Sequence, residues 1–409
     1  MTTHLSSLAN LSKNFERPAM FVDLNHLEFN IHSVLNALKD SSQKIRIASK
    51  SVRSPEILKL ISEKLGERFN GIMCFSVREA ALLFEWGFRD LLLAYPLGQV
   101  SEIKEAIELI QKGATLTLMV DSAPHLELIA STIQKEATQT PVRLCVDLDL
   151  SLRLLGGLLH FGVERSPIRS LLDFKSLFAL ISKNPKLALV GVMGYEAQIA
   201  GVQEKSPFSK LLNPIKTLIK KWSIPKIQKR RREVFEFLKS EHIELDFFNG
   251  GGTGSLISTK KEPWVSEITV GSGFLQSHLF DYYSESRHPS DPSYRKPALF
   301  FALPVTRLPE NGIVTCQSGG FIASGEPGWD KSPVIVYPEG AKPLSFEGFG
   351  EVQTPVRLSG GTLSLGESVL CRPAKAGEIA ERFNDYHLIS GGSFLKTVKT
   401  YRGLGHVFY

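Results

Sequence analysis

Short apolar runs alternate with amphipathic stretches over roughly the first two thirds of the chain. Runs rich in leucine and β-branched residues, bounded by polar or turn residues, read as strands. They fall at Ala19–Asp23, Ile45–Ser49, Gly71–Phe75, Asp90–Ala94, Thr115–Val120, Val142–Asp147, Leu187–Val192, Leu245–Phe248 and Glu267–Val270. Between them apolar residues recur with helical spacing. Leu24, Leu27, Ile31, Val34 and Leu35 share one face, and Ser54-Pro55-Glu56 supplies a cap and a first-turn proline for the next helix. Further helices are expected over 77–86, 100–111, 124–136, 168–181 and 211–239. Strands separated by single helices pair in parallel through right-handed crossovers. About eight such units by residue 275 favour a closed barrel over an open sheet.

Beyond about residue 290 helical periodicity fades. Gly, Pro and short alternating strands such as Gly312–Cys316 and Pro333–Tyr337 take over, which reads as a separate β domain. The expected architecture is α/β, a (β/α)8 TIM-like barrel followed by a β-rich domain. Its divisions are a lead-in at 1–16 that packs on the β domain, the barrel at 17–289 and the β domain at 290–409. The total of 409 residues accommodates both.

Composition narrows the classes of function. The formal net charge of +6 is spread among interspersed acids and bases, so a nucleic-acid partner is not expected. The run Lys226–Glu233 reads as a solvated helix face, with an anion or partner contact as the alternative. The four cysteines form no paired motif, which excludes a zinc ribbon or disulfide framework; Cys74 and Cys145 lie in apolar runs as buried thiols. Neither a leader pattern nor an uninterrupted apolar stretch of membrane length is visible, so a cytoplasmic protein without a membrane partner is expected.

Barrel chemistry belongs where strands end, and four strand ends stand out. In Arg46-Ile-Ala-Ser-Lys50 a lysine closes an apolar strand; the plain alternative is a surface lysine, but desolvation at a barrel mouth makes an amine nucleophilic toward carbonyls. Asn249-Gly-Gly-Gly-Thr-Gly-Ser255 lets backbone approach an anion and adds two hydroxyls, with a spacing unlike dinucleotide or Walker loops. Gly271-Ser-Gly273 follows the last strand, and a phosphate between the final two loops is a recurrent barrel arrangement. Asp147-Leu-Asp149-Leu-Ser-Leu-Arg153 is either a structural ion pair or site chemistry. A lysine on the second strand facing a phosphate cradle on the last two is what pyridoxal 5'-phosphate (PLP) requires.

These residues resemble fold-type III PLP enzymes, in particular the alanine racemase-like barrel of D-threonine aldolase and D-serine dehydratase. Arg17–Asp23 is similar to the family's opening strand, Lys50-Ser-Val-Arg-Ser-Pro-Glu56 to its cofactor-lysine segment, and Leu91–Pro96 to another strand end. The resemblance implies that Lys50 carries PLP as an aldimine and then moves a proton. It implies that Gly252, Thr253, Gly271 and Ser272 bind the phosphate, that Arg153 faces the pyridine nitrogen, and that Tyr195 and Gln198 line the cofactor. It also implies a homodimer acting on a small-molecule amino-acid substrate, one of D configuration or an interconverting one.

Two departures matter. The histidine that the family places two residues after the lysine is Val52 here. The family's C-terminal metal pair aligns with Lys375 and Gly377, a poor ligand and no ligand, so no metal is expected. In that stretch Cys371 and Lys375 are candidate acid/base groups, and Arg372 and Glu378 candidate substrate contacts, with a solvent-facing turn as the alternative. The expected activity is PLP-dependent chemistry at Cα by racemisation, deamination or retro-aldol cleavage, with proton abstraction first. The alternatives are a metal-dependent D-threonine aldolase-like lyase, a non-catalytic PLP carrier, and a sugar- or keto-acid barrel enzyme without PLP.

Overall fold

The computed structural model describes residues 2–136 and 140–408. The first strand, β1 (Ala19–Asp23), is followed by β2 (Lys44–Ala48), β3 (Phe69–Cys74), β4 (Asp90–Leu93), β5 (Thr115–Val120) and β6 (Val142–Asp147). A short hairpin, β7 (Leu152–Leu154) and β8 (Leu159–Phe161), precedes β9 (Leu187–Gly194), β10 (Phe247–Gly250) and β11 (Glu267–Val270). Strands β2, β3, β4, β5, β6, β9, β10 and β11 close into one parallel barrel, sealed by Val270 against Ile47 of β2. The expected barrel therefore forms, and alternation explains its two cores. On β2, Ile45 and Ile47 face outward to the helices, while Arg46 enters the lumen and pairs with Glu267 at 2.7 Å and Asp90 at 2.6 Å. Leu92, Met119, Cys145, Met193 and Phe247 fill the lumen above that pair. Outside, the helix Pro55–Leu65 buries Ile57, Leu58, Ile61 and Leu65, each contributing about 1.5–3 kcal/mol of transfer free energy.

The first strand is not a barrel strand. β1 runs antiparallel to β12 (Leu299–Glu310) on one side and, further along the chain, parallel to Asp385–Ser390 on the other, and all five of its residues are buried. The lysine strand β2 is thus the first of the barrel and not the second. The sheet built on β1 and β12 includes β13 (Ile313–Gln317), β14 (Val334–Tyr337), β15 (Lys342–Pro343), β16 (Gln353–Arg357), β17 (Ser368–Arg372), β18 (Asp385–Ser390) and β19 (Ser393–Lys399). The N-terminal helix Thr2–Ser12 packs on its strand β17, where Ser12 meets Ser368 at 2.6 Å and Lys13 reaches Glu367 at 3.0 Å.

The basic run is a solvated face only in part: Lys226, Lys229 and Arg232 are exposed. It lies in the helix Asn213–Ser240, and Arg231 is turned inward and fully buried between Glu196 and Glu262.

Barrel and sheet meet beneath the barrel mouth at His278, whose Nε2–H donates to the Ser332 carbonyl at 2.8 Å. Burial, reinforced by the Arg372 cation, pulls its pKa from 6.5 down to about 4. The unfolded chain binds this proton more readily than the fold. The stabilisation is therefore complete above pH 6.5 and declines as pH falls from 6.5 through about 4. At about 1.4 kcal/mol per pH unit the loss approaches about 3 kcal/mol. Urea midpoints measured across that window should fall for the wild type and flatten in His278→Gln; an unchanged slope in the variant would refute the assignment.

Candidate active site

Strand β2 ends at Ala48, and a single turn, Ser49–Ser51, lifts Lys50 into a cavity of about 670 Å3 at the barrel mouth. Ser49 Oγ donates to the Met73 carbonyl at 2.9 Å and fixes that turn. Lys50 Nζ donates to the Tyr95 hydroxyl at 2.9 Å and has no carboxylate partner among the described residues. Gly252, Thr253, Gly271 and Ser272 line the same cavity. The two glycine loops are stitched together by the Gly273 N–H, which donates to Thr253 Oγ1 at 3.0 Å, while Ser272 Oγ lies 3.2 Å from Ser51 Oγ beside the lysine. Glycine is required here by close approach. A Cβ on Gly254 would lie 2.2 Å from the Tyr283 ring, and one on Gly271 would lie 2.8 Å from Ser51 Oγ.

Tyr195 also lines the cavity, and burial pushes its pKa up to about 12, so it is a neutral phenol. Two other expected residues are placed elsewhere. Arg153 sits on β7 and donates to Glu164 at 2.7 Å, with Asp149 at 3.5 Å; it is absent from the cavity wall. Arg165, twelve residues on, stands in that wall instead. The intervening β7–β8 hairpin turns one arginine out and the other in, which spacing alone does not reveal. Gln198 is buried and donates to the Leu150 carbonyl at 2.7 Å, bracing the loop after β6.

The C-terminal stretch divides the same way. Cys371 is fully buried on β17, and burial pushes its thiol far up, so it is no acid/base. Arg372 forks onto Asp281 at 2.6 and 2.9 Å and clamps the junction below the cavity. Lys375 and Glu378 do reach the cavity, and they line it with Lys50 of their own chain. Ser324 ties them together, accepting from Lys375 Nζ at 3.0 Å while its N–H donates to Glu378 at 2.6 Å.

Gly377 is explained by packing. A Cβ there would lie 1.7 Å from the Lys50 carbonyl oxygen, so this loop rests directly on the lysine turn. Val52 is likewise a fully buried core residue. Gly377→Ala should therefore displace Lys50 or the Lys375 loop, costing about 1–3 kcal/mol. Turnover should fall about a hundredfold through misplacement. A thermal midpoint and a rate, measured together, check this; wild-type values for both would refute it.

Sequence reasoning missed a side chamber of about 330 Å3 that shares Tyr95, Arg165 and Tyr195 with the main cavity. Asp121, His125 and Asp147 line it, with His125 Nδ1 3.0 Å from Asp121. Burial, and then the neighbouring Asp121, raise the Asp147 carboxyl to about 7. Of these, Asp147 is legible in the sequence at its strand end, Asp121 directly follows β5, and His125, in the helix Ala123–Lys135, gives no signal. Off the cavity wall, His4, Asp23 and His26 form a group whose ligand atoms all lie within 4.8 Å of one another.

A lysine turn facing two stitched glycine loops at a barrel mouth, capped by a sheet domain, defines the class of alanine racemase-like barrels. The chain belongs to the alanine racemase N-terminal domain family, whose model matches residues 22–234, just over half of it. A 3-hydroxy-D-aspartate aldolase of Paracoccus denitrificans is 23% identical over 257 residues, 63% of this chain and 59% of that protein. The match thus spans less than two thirds of that relative's length. The fold follows D-threonine aldolase from Filomicrobium marinum at a TM-score of 0.79 and 17% identity, over 96% of both chains. It follows D-threo-3-hydroxyaspartate dehydratase from Delftia sp. HT23 at 0.72 and 16%, over 95% of this chain and 98% of that one. Among the described residues, no helix is long and apolar enough to cross a membrane.

Proposed function

We propose that the protein is a PLP-dependent enzyme of the racemase/lyase kind, acting at the α-carbon of an amino acid of D configuration. The observation that carries this reading is the placement of Lys50 and both glycine loops on one cavity wall. The residues fit the cofactor: Thr253, Ser272 and Ser51 offer hydroxyls and the glycines a close backbone at one end, and an amine without a carboxylate partner stands at the other. A cavity of about 670 Å3 also lies in the range typical of small-ligand sites.

In this reading Gly252, Thr253, Gly271 and Ser272 would hold the phosphate and Lys50 the aldehyde carbon, with Tyr195 as a further wall residue for the cofactor. Arg165 supplies the charge first expected of Arg153. When bound, PLP stabilises the charge left at Cα by bond cleavage. Lys50 Nζ holds and moves the α-proton, and the Tyr95 hydroxyl at 2.9 Å orients that amine. Lys375, anchored by Ser324 and Glu378, receives the substrate carboxylate. Removal of the α-proton, leading to racemisation or β-elimination, ranks first, because buried Val52 offers no base for a substrate hydroxyl. The aldolase relative favours a second reading, retro-aldol cleavage of a β-hydroxy-D-amino acid.

The test is the absorption spectrum of the purified protein before and after borohydride, followed by deuterium uptake at Cα of candidate D-amino acids. A visible band that bleaches, with exchange at Cα, supports the reading. A colourless protein that takes up no added PLP refutes it.

A further inference from the structure

We propose that Arg295 is the buried counter-charge for a dianionic phosphate held by the two glycine loops, acting as a positioning residue behind them. The proposal rests on the PLP reading and adds a residue to it.

The contrast with the other interior cations carries the inference. Arg46 has Glu267 and Asp90, Arg231 has Glu196 and Glu262, Arg372 has Asp281, and Lys220 has Glu204 at 2.5 Å. Arg295 is 3% exposed, and its Nε and Nη2 have no hydrogen-bond partner. Among the described residues no carboxylate pairs with it. A guanidinium removed from water without a counter-ion is costly, and burial pulls its pKa down to about 10. Such a group is retained where an anion arrives.

Its surroundings say where. A Cβ built on Gly273 would lie 3.0 Å from Arg295 Nε and 3.0 Å from Thr253 Cγ2, which places the guanidinium against the point where the two loops are stitched. Tyr283, the ring packed on Gly254, is the other charge-sensitive neighbour of Arg295. The backbone on either side is pinned: the Ser293 N–H donates to the Glu285 carbonyl at 3.0 Å, and the Lys296 N–H to Asn30 Oδ1 at 2.7 Å. The backbone that carries the guanidinium is therefore fixed beside the loops. Arg295 is not on the cavity wall. It acts through the low-dielectric layer formed by Thr253 and Gly273, and field effects across such a layer are strong.

The test uses full-length protein freed of bound cofactor, with inorganic phosphate, PLP and phosphate-free pyridoxal as probes. Phosphate should raise the wild-type thermal midpoint. Arg295→Met should bind phosphate and PLP about a hundredfold more weakly, the effect of one charge several ångströms away in a poorly screened site. Its affinity for pyridoxal should be unchanged, and its ligand-free midpoint should rise because an uncompensated charge is gone. Arg295→Lys should stay within about tenfold of the wild type. A folded Met variant that binds phosphate like the wild type overturns the proposal, as does an equal loss toward pyridoxal or a wild type indifferent to phosphate. If the Met variant does not fold, the Lys variant decides: retained phosphate affinity supports the charge role, and loss as large as a hundredfold refutes it. Phosphate binding without a reduced adduct on Lys50 would sink the PLP reading and leave Arg295 standing.

Discussion

Replacing Lys50 by alanine should abolish the borohydride-fixed adduct and reduce turnover by at least about a thousandfold, since it removes both the covalent anchor and the proton carrier. The competing amines are Lys331 and Lys375, which line the same cavity. Lys331 is held by Asp330, and Lys375 by Ser324 and Glu378. To reach a carbonyl carbon, either amine must first leave the carboxylate that holds it. Lys50 is hydrogen-bonded only to the Tyr95 hydroxyl among the described residues. Peptide mapping of the reduced wild-type protein should thus place the adduct on Lys50 alone. An adduct on Lys331 or Lys375, or one that persists in Lys50→Ala, would refute the assignment. Lys50→Arg keeps a charge at the turn and should be as inactive as the alanine variant, which separates nucleophilicity from electrostatics.

Arg231→Met should destabilise the fold by about 3–5 kcal/mol, because it strands two buried carboxylates. Arg231 donates to Glu262 at 2.5 Å, to the Gly194 carbonyl at 2.6 Å and to Glu196. Glu196 in turn accepts from the Gly251 N–H at 3.1 Å and from Thr259 Oγ1 at 2.6 Å, so the network also sets the first glycine loop. The variant should therefore lose phosphate affinity as well as stability. Adding Glu262→Gln should recover part of the stability, since a neutral amide removes one stranded charge; Glu262 is already raised in pKa by its burial. Chemical denaturation of the single and double variants measures both effects. A single variant within about 1 kcal/mol of the wild type would show that the network carries little.

The sequence makes some of this legible for clear reasons. Strand–helix alternation has a fixed handedness and spacing, so the barrel follows from periodicity. Lys50 and the glycine loops are local features at strand ends, and local features survive into the fold. Ala19–Asp23 did not reveal its partners, because an unbroken apolar run suits a barrel strand and the centre of a sheet equally. The basic run deceived for a related reason. Six of its eight residues are charged, and the inward turn of Arg231 depends on Glu196 and Glu262, more than thirty residues away in either direction.

By itself, the sequence determined the barrel, the β-rich second domain, the lysine at a strand end and the glycine-lined cradle, each encoded within a few consecutive residues or by a simple period. The tertiary structure alone decided which charges are satisfied. It sent Arg153 to Glu164 and Arg165 to the cavity, buried Cys371 and Arg372 below the site, and seated Gly377 on the Lys50 carbonyl. It also left Arg295 without a counter-ion behind the cradle. The physical reason is that the desolvation and pairing of a charge depend on groups brought together across the whole chain, and no local pattern contains them.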